Sequence, residues 1–206
     1  MNGNKLKKIV TEKKVWVGTH NSMSYLPVKQ WWKKPFRIFA KCQELSIQEQ
    51  IEKYDVIDLR VCVGEKLSWE FAHGFVDFKE FDIHHILHLC NISDKPKIVR
   101  LILEKITKDR FEDCDDFITL CKYCEKTYPN VIFIGGNRKF DWYKVFDFNA
   151  NKYFPDNVIY QHVSSMADDA KWYEKILPKV YAYRHNVNPE IHKEFKEGIN
   201  LYDFVK

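Results

Sequence analysis

Lys97-Ile98-Val99-Arg100-Leu101-Ile102-Leu103-Glu104 is almost continuously apolar, the pattern of a strand buried on both faces, as strands of parallel sheets are. Comparable runs lie at 15–19, 56–63 and 131–136, with shorter ones at 158–160, 179–182 and 200–205. Helical patterns separate them. Ser46 opens a helix with Glu49 three residues on as a capping box, and Ile47, Ile51 and Tyr54 share its apolar face. Phe78 to Leu89 is amphipathic, with Phe81, Ile86 and Leu89 as core positions. Further helices are predicted over 110–127 and 168–176, and one starts at Asn188-Pro189-Glu190 and ends at Gly198. Strands alternating with helices imply βαβ units. In a chain of 206 residues this predicts an α/β fold, a small irregular (β/α) barrel of the TIM type. No repeat or linker divides the chain, so 1–206 reads as one domain. Chemistry in such barrels gathers at the carboxyl ends of the strands, where His20, Arg60, Glu104 and Arg138 fall.

Composition narrows the function classes. Hydrophobic residues at 45% and charged residues at 30% are globular values, which excludes a disordered or fibrous chain. A net charge of +4 suits an anionic partner but falls short of a nucleic-acid footprint. Met1 to Lys14 is polar and lysine-rich with no apolar core, so no signal peptide is expected, and no run is long enough to span a membrane. The expectation is a cytoplasmic monomer that touches a membrane peripherally. Six cysteines without a secretory signal read as free thiols. Cys121-Lys122-Tyr123-Cys124 spells CxxC inside a helical pattern, with no second pair to complete a zinc site, so buried thiols are the simpler reading.

Three patches carry the chemistry. Val15-Trp16-Val17-Gly18-Thr19-His20 delivers an imidazole at a strand end, Ile57-Asp58-Leu59-Arg60 an arginine, and Phe71-Ala72-His73-Gly74 a second imidazole. Cleaving a phosphodiester needs a base, an acid and a cation for the phosphoryl oxygens, and these residues supply one of each. A guanidinium is permanently charged and forks onto two oxygens, where lysine would be a point charge.

Gly18-Thr19-His20-Asn21-Ser22 followed by Asp58-Leu59-Arg60 and His73-Gly74 resembles the X-type catalytic domain of phosphatidylinositol-specific phospholipase C, particularly its compact, metal-independent bacterial members. Pro27-Val28-Lys29-Gln30-Trp31-Trp32 resembles their short membrane-touching helix. Asn188-Pro189-Glu190-Ile191 and Tyr202-Asp203-Phe204 are similar to their C-terminal pattern. The resemblance implies that His20 is the general base acting on an inositol 2-hydroxyl and His73 the general acid for the departing diacylglycerol oxygen. Arg60 would stabilise the phosphoryl charge, Asp203 would orient His20, and Asp58 would support Arg60. The first product would be a cyclic inositol phosphate.

The chain also departs from that pattern. Residue 21 is Asn, where the bacterial enzymes carry Asp and the calcium-dependent eukaryotic relatives carry Asn. Asn21, Asp58 and Glu104 therefore give a calcium alternative. Against it, Arg60 stands where those relatives have an acid, and a guanidinium excludes the ion by charge and volume, so no cofactor is expected. Of the residues that the resemblance puts on the substrate, Arg138 is retained, while Glu104, His162 and Ser164 replace the family's residues. The cleavage machinery survives and the headgroup contacts differ.

Some residues have two readings. Glu104 also reads as the salt-bridge partner of Arg60. Trp31 and Trp32, interleaved with Lys29, Lys33, Lys34 and Arg37, read either as rings packed beneath the barrel rim or as a lipid-facing surface. Trp69 and Trp142 are assigned to the core or pocket wall. His84, His85 and His88 share a helical stretch without a third ligand, so they read as a solvated face, as do Asp113, Asp115 and Asp116. Two other functions compete with lipid cleavage: the same chemistry on a soluble phosphodiester, and a silent lipid- or phosphate-binding module.

Overall fold

The first and last strands of the chain lie side by side in the computed structural model, which describes residues 3–63, 68–104, 112–136, 145–146, 159–163, 165, 167–185, 187, 189 and 195–206. β1 (Val15–Thr19) pairs in parallel with β8 (Gly198–Tyr202), from Val15↔Gly198 to Thr19↔Tyr202. β8 pairs with β7 (Ile159–His162). On its other side β1 pairs with β2 (Val56–Val63), β2 with β5 (Lys97–Leu103) and β5 with β6 (Val131–Gly135), all parallel. The spatial order β7-β8-β1-β2-β5-β6 thus follows chain order with the two ends joined. That is how a (β/α) barrel closes, whereas an open sheet keeps its first and last strands apart. The described sheet is the curled half-barrel of such a fold, as the alternation of strands and helices predicts. An antiparallel hairpin, β3 (Trp69–His73) and β4 (Val76–Asp77), branches from the carboxyl half of β2. Gly74 supplies its left-handed turn at φ 58.

The helices are α1 (Gly3–Glu12), α2 (Arg37–Ala40), α3 (Ile47–Lys53), α4 (Ile83–Ile92), α5 (Glu112–Thr127), α6 (Trp172–Ile176) and α7 (Pro178–Arg184). The Ser46–Glu49 capping box forms as predicted. Three expectations are corrected. Residues 179–182, expected as a strand, lie inside α7; a segment this short does not distinguish strand from helix, and Pro178 presets the first helical turn. The helix expected from Phe78 starts at Ile83, where the Asp82 carboxylate accepts from His84 N at 2.9 Å, while Phe78 extends to bridge Val28. Gly198 does not end a helix but opens β8, which closes at Tyr202 rather than Val205. The polar N-terminal stretch, to which the sequence pattern assigned no element, forms α1, which buries Val10. The helix expected at Asn188-Pro189-Glu190 lies largely outside the described residues.

Strand alternation then distributes the core. Successive side chains point to opposite faces. One face carries Trp16, Val56, Ile98, Ile132, Ile134, Ile199 and Leu201, which cluster with Val10 and fill the amino-terminal part of the interior. The other carries Ile57, Leu59, Val61, Val99, Leu101 and Phe133, which pack under α3, α4 and α5. Continuing the inward rows toward the carboxyl ends gives Trp16-Gly18-His20, Val56-Asp58-Arg60, Ile98-Arg100-Ile102 and Ile199-Leu201-Asp203. Three of the rows run from apolar to functional, and the β5 row places Arg100 between two isoleucines. Gly18 is required because it pairs with Val56, and a Cβ there would overlap the Val56 carbonyl oxygen and Cβ. At the foot of β5 the buried Lys97 ammonium donates to the Tyr54 carbonyl at 2.7 Å and to that of Ile51, closing the end of α3.

The β2–β5 register sets Asp58 directly beside Arg100 inside the sheet. Arg100 Nη1 donates to Asp58 Oδ1 at 3.2 Å, and Arg60 Nε to Oδ2 at 3.3 Å. Complete burial alone would push the Asp58 carboxyl up; the fields of Arg100, Arg60 and His20 and the Asn21 N–H outweigh it and hold the carboxyl at about 2 instead of 3.8. Attraction wins over desolvation here because two guanidiniums face one carboxylate.

Two outcomes are expected. Gly18→Ala should destabilise the chain by about 1–3 kcal/mol or more in urea unfolding, since backbone must move to admit the methyl; an unchanged midpoint would contradict the register. Asp58→Asn should be about 3–5 kcal/mol less stable at neutral pH, because it strands the buried Arg100 guanidinium and takes one of two carboxylates from Arg60. A depressed carboxyl stabilises above its unfolded value and loses that stabilisation on acidification. The gap between wild type and variant should therefore narrow by about 2 kcal/mol between roughly pH 4 and pH 2; a constant gap would show that Asp58 is not held ionised.

Candidate active site

The loop after β1 is built by short polar side chains. Asn21 adopts the left-handed conformation (φ 47), which Asn tolerates better than most residues, and turns the chain just past His20. Its N–H donates to Asp58 Oδ2 at 2.9 Å. The Ser22 hydroxyl accepts from Asp58 N at 2.9 Å and lies 2.6 Å from the Thr19 hydroxyl, which stitches the loop to β2. Gln43 Nε2 donates to the carbonyls of both His20 (2.9 Å) and Tyr202 (2.8 Å), tying β1 to β8 above the sheet. His20 is thereby located by β1, β2, β8 and the α2–α3 connection.

His20 Nδ1 lies 2.7 Å from Asp203 Oδ1. The carboxylate only accepts, so Nδ1 carries the proton and the lone pair sits on Nε2. Arg60 Nη2 donates to that Nε2 at 2.6 Å. Arg60 also reaches Glu104, with Nη1 3.6 Å from Oε2, and Glu104 Oε1 accepts from Gly74 N at 2.8 Å. Burial would lower the Arg60 pKa, but Asp58 and Glu104 outweigh it and raise the value. His73 Nδ1 donates to the Ala40 carbonyl at 2.9 Å, which leaves Nε2 as the nitrogen available for proton transfer. The His20 and His73 rings are 5.9 Å apart, centroid to centroid, at 83°. Burial, then the neighbouring His20 and Arg60, lowers the His73 pKa.

A pocket of about 650 Å³ opens onto His20, Arg60, His73 and Asp203. The residues expected to form the chemistry are thus brought together, with Asp58, Asn21 and Glu104 around Arg60. Of the residues expected on the substrate, Glu104 joins this group through Arg60, while His162 does not. His162 faces away from the pocket: it stacks on Tyr202 at 4.4 Å and bonds Asn200 Oδ1 at 3.1 Å. Gln161, Val163 and Ser165 line the wall instead, joined by Lys175 from α6. Strand parity explains the one-residue error, since Ile159 and Gln161 share the inward row and Tyr160 and His162 the outward one. Glu104 contacts Arg60, as its salt-bridge reading requires. Arg138, Ser164 and Trp142 lie outside the described residues. Gln43 and Cys42 were missed; no local pattern marks a loop glutamine that reaches two carbonyls.

Trp31 is 78% exposed and Trp32 54%, so neither is packed beneath the rim. Phe36, Phe39 and Phe75 line the pocket mouth beside them, with Phe36 edge-on to Phe75 at 5.1 Å. The interleaved cations are partly committed elsewhere: Lys29 pairs with Glu70 and Lys33 with Asp77, each at 2.5 Å, which docks the segment on the β3–β4 hairpin. Trp69 packs on Phe117 on the outer side of the sheet.

Of the three acceptors named for calcium, Asp58 and Glu104 both face the Arg60 guanidinium, Nε lying 3.3 Å from Asp58 Oδ2 and Nη1 3.6 Å from Glu104 Oε2. On α4, His84 bonds the Tyr128 hydroxyl at 3.1 Å and His88 is exposed. Cys121 and Cys124 are buried free thiols, pushed up by burial, Cys124 to about 12. Among the described residues, His20, Cys42 and Asp203 form the one group of potential metal ligands. No helix among the described residues is long and apolar enough to cross a membrane.

No family model and no curated protein sequence matches the chain. Among solved structures it is similar to the phosphatidylinositol-specific phospholipase C of Listeria monocytogenes, with 16% identity over 95% of this chain and 90% of that one and a TM-score of 0.55. At that identity what the two share is the fold: the chain is a phospholipase C-like (β/α) barrel.

Proposed function

We propose that the protein is a metal-independent phosphodiesterase that cleaves a phosphatidylinositol-type lipid at a membrane surface. The observation that carries this reading is the convergence of His20, Arg60 and His73 on one pocket wall, with Asp203 behind His20. A phosphate-binding module has use for Arg60 but not for two imidazoles lining the same pocket, one of them backed by a carboxylate.

The chemistry follows from the hydrogen bonds. A phosphoryl group entering the pocket is a stronger acceptor for Arg60 than an imidazole nitrogen, so it draws the guanidinium off His20 Nε2 and uncovers the base. His20 Nε2 then takes the proton of the substrate's neighbouring hydroxyl, and the oxygen forms its bond to phosphorus. Asp203 stabilises the resulting imidazolium. The opposite phosphorus–oxygen bond breaks, and protonated His73 delivers its Nε2 proton to the departing glyceryl oxygen. Attack from within the same molecule recruits no water and gains from high effective molarity. Arg60, held by Asp58 and Glu104, spans the phosphoryl oxygens without a metal ion. The exposed aromatic rim favours a lipid over a soluble diester, because rings at a pocket mouth gain by leaving water for the headgroup region.

With phosphatidylinositol vesicles, phosphorus NMR should show a five-membered cyclic phosphate as the first product, with or without a chelator. His20→Ala should lower the rate by about 10²–10⁴; a wild-type rate in that variant would remove the mechanism. Because His73 must be protonated to act and its pKa is lowered, kcat/KM should fall on an alkaline limb below the ordinary imidazole value of about 6.5. Replacing Trp31 and Trp32 together with Ala should weaken vesicle binding roughly tenfold or more while sparing a short-chain soluble substrate. Equal losses on both substrates would make the rings structural.

A further inference from the structure

We propose that His20, Cys42 and Asp203 bind a thiophilic divalent cation of the zinc type, and that occupying this site switches the phosphodiesterase off. The inhibitory half rests on the function proposed above; the binding half does not. Each residue offers one ligand atom, and these atoms lie within 4.8 Å of one another. All three residues line the pocket, so an ion can enter from it and keep its fourth position open toward it. Three protein ligands and an open position is the pattern of accessible zinc sites, and a sulfur donor selects against calcium and magnesium.

The segments that carry the three ligands are tied to one another by hydrogen bonds. Phe204 N, next to Asp203, donates to the Cys42 carbonyl at 2.6 Å. Gln43, next to Cys42, holds the His20 carbonyl. Cys42 N is anchored on the Ser24 hydroxyl at 2.9 Å. Charge also favours a cation: Asp58 and Glu104 already balance Arg60 and Arg100, and Asp203 has only His20 as its ion-pair partner among the described residues. Without metal, burial and then the adjacent Asp203 keep Cys42 a thiol. On binding, Cys42 releases its proton to solvent and zinc takes the bond. Coordination through His20 Nδ1, the nitrogen facing Asp203, moves the ring proton to Nε2 and turns Arg60 onto Asp58 and Glu104. The nitrogen that would act as base is then already protonated, so cleavage stops.

The test titrates the full chain with cobalt(II) chloride, then competes with zinc chloride. A sulfur-to-cobalt charge-transfer band should saturate at one equivalent and be bleached by zinc. Cys42→Ser should lose the band, and both it and Asp203→Asn should weaken zinc binding by about tenfold or more. Cys121→Ser should bind as the wild type does. Circular dichroism checks that each variant is folded, and Asp203→Asn removes a ligand without touching the thiol should Cys42→Ser fail to fold. Absence of the band, its persistence in Cys42→Ser, or its loss in Cys121→Ser would overturn the site. Zinc should also inhibit the wild type reversibly, with activity restored by a chelator. A chain that binds zinc but never cleaves a phosphodiester overturns the proposed function and leaves the site standing. An active chain that binds no zinc does the reverse.

Discussion

Asp58 accepts from three directions at once, and the upper half of the barrel is arranged by those bonds. Arg100 crosses from β5, Arg60 folds back along β2, and the Asn21 N–H arrives from the loop after β1. Each bond fixes something different. Arg100 pairs β2 with β5 through the interior, Arg60 is aimed at His20, and Asn21 sets the angle at which the chain leaves β1. Because the carboxylate is ionised and wholly buried, none of the three partners can be removed cheaply. Fold stability and the aim of the pocket cation therefore depend on one group.

Strand alternation does the rest. The inward rows that begin with Trp16, Val56 and Ile199 end with His20, Arg60 and Asp203. The same parity that buries the apolar end exposes functional groups to the pocket at the other. Position along a strand decides whether an inward side chain is core or chemistry. Parallel pairing of β1 with β8 then brings residues 20 and 203, from opposite ends of the chain, to 2.7 Å.

Much of this was legible in the sequence. Near-continuous apolar runs marked β1, β2, β5 and β6, and Ser46 with Glu49 marked the start of α3. Two imidazoles and an arginine at strand ends marked the candidate site. What was not legible depended on tertiary context. Residues 179–182 are apolar enough for a strand and become helix because Pro178 starts one. His162 was placed on the substrate, but a register of one residue turns it outward against Tyr202. Gln43 and Cys42 carry no local signal, because their roles come from reaching residues distant in sequence. The ion pairs of Lys29 and Lys33 likewise need the hairpin that holds Glu70 and Asp77.

The claim on which the proposed function depends is that His20 and His73 act on opposite sides of one phosphorus, one taking a proton and the other giving one. Cleavage rates of His20→Ala and His73→Ala on two substrates, one releasing an alkoxide and the other a p-nitrophenolate, test it most directly. A phenolate departs without protonation, so His73→Ala should recover most of its lost rate on that substrate while His20→Ala stays defective on both. Equal losses for the two variants on both substrates would contradict the division of roles.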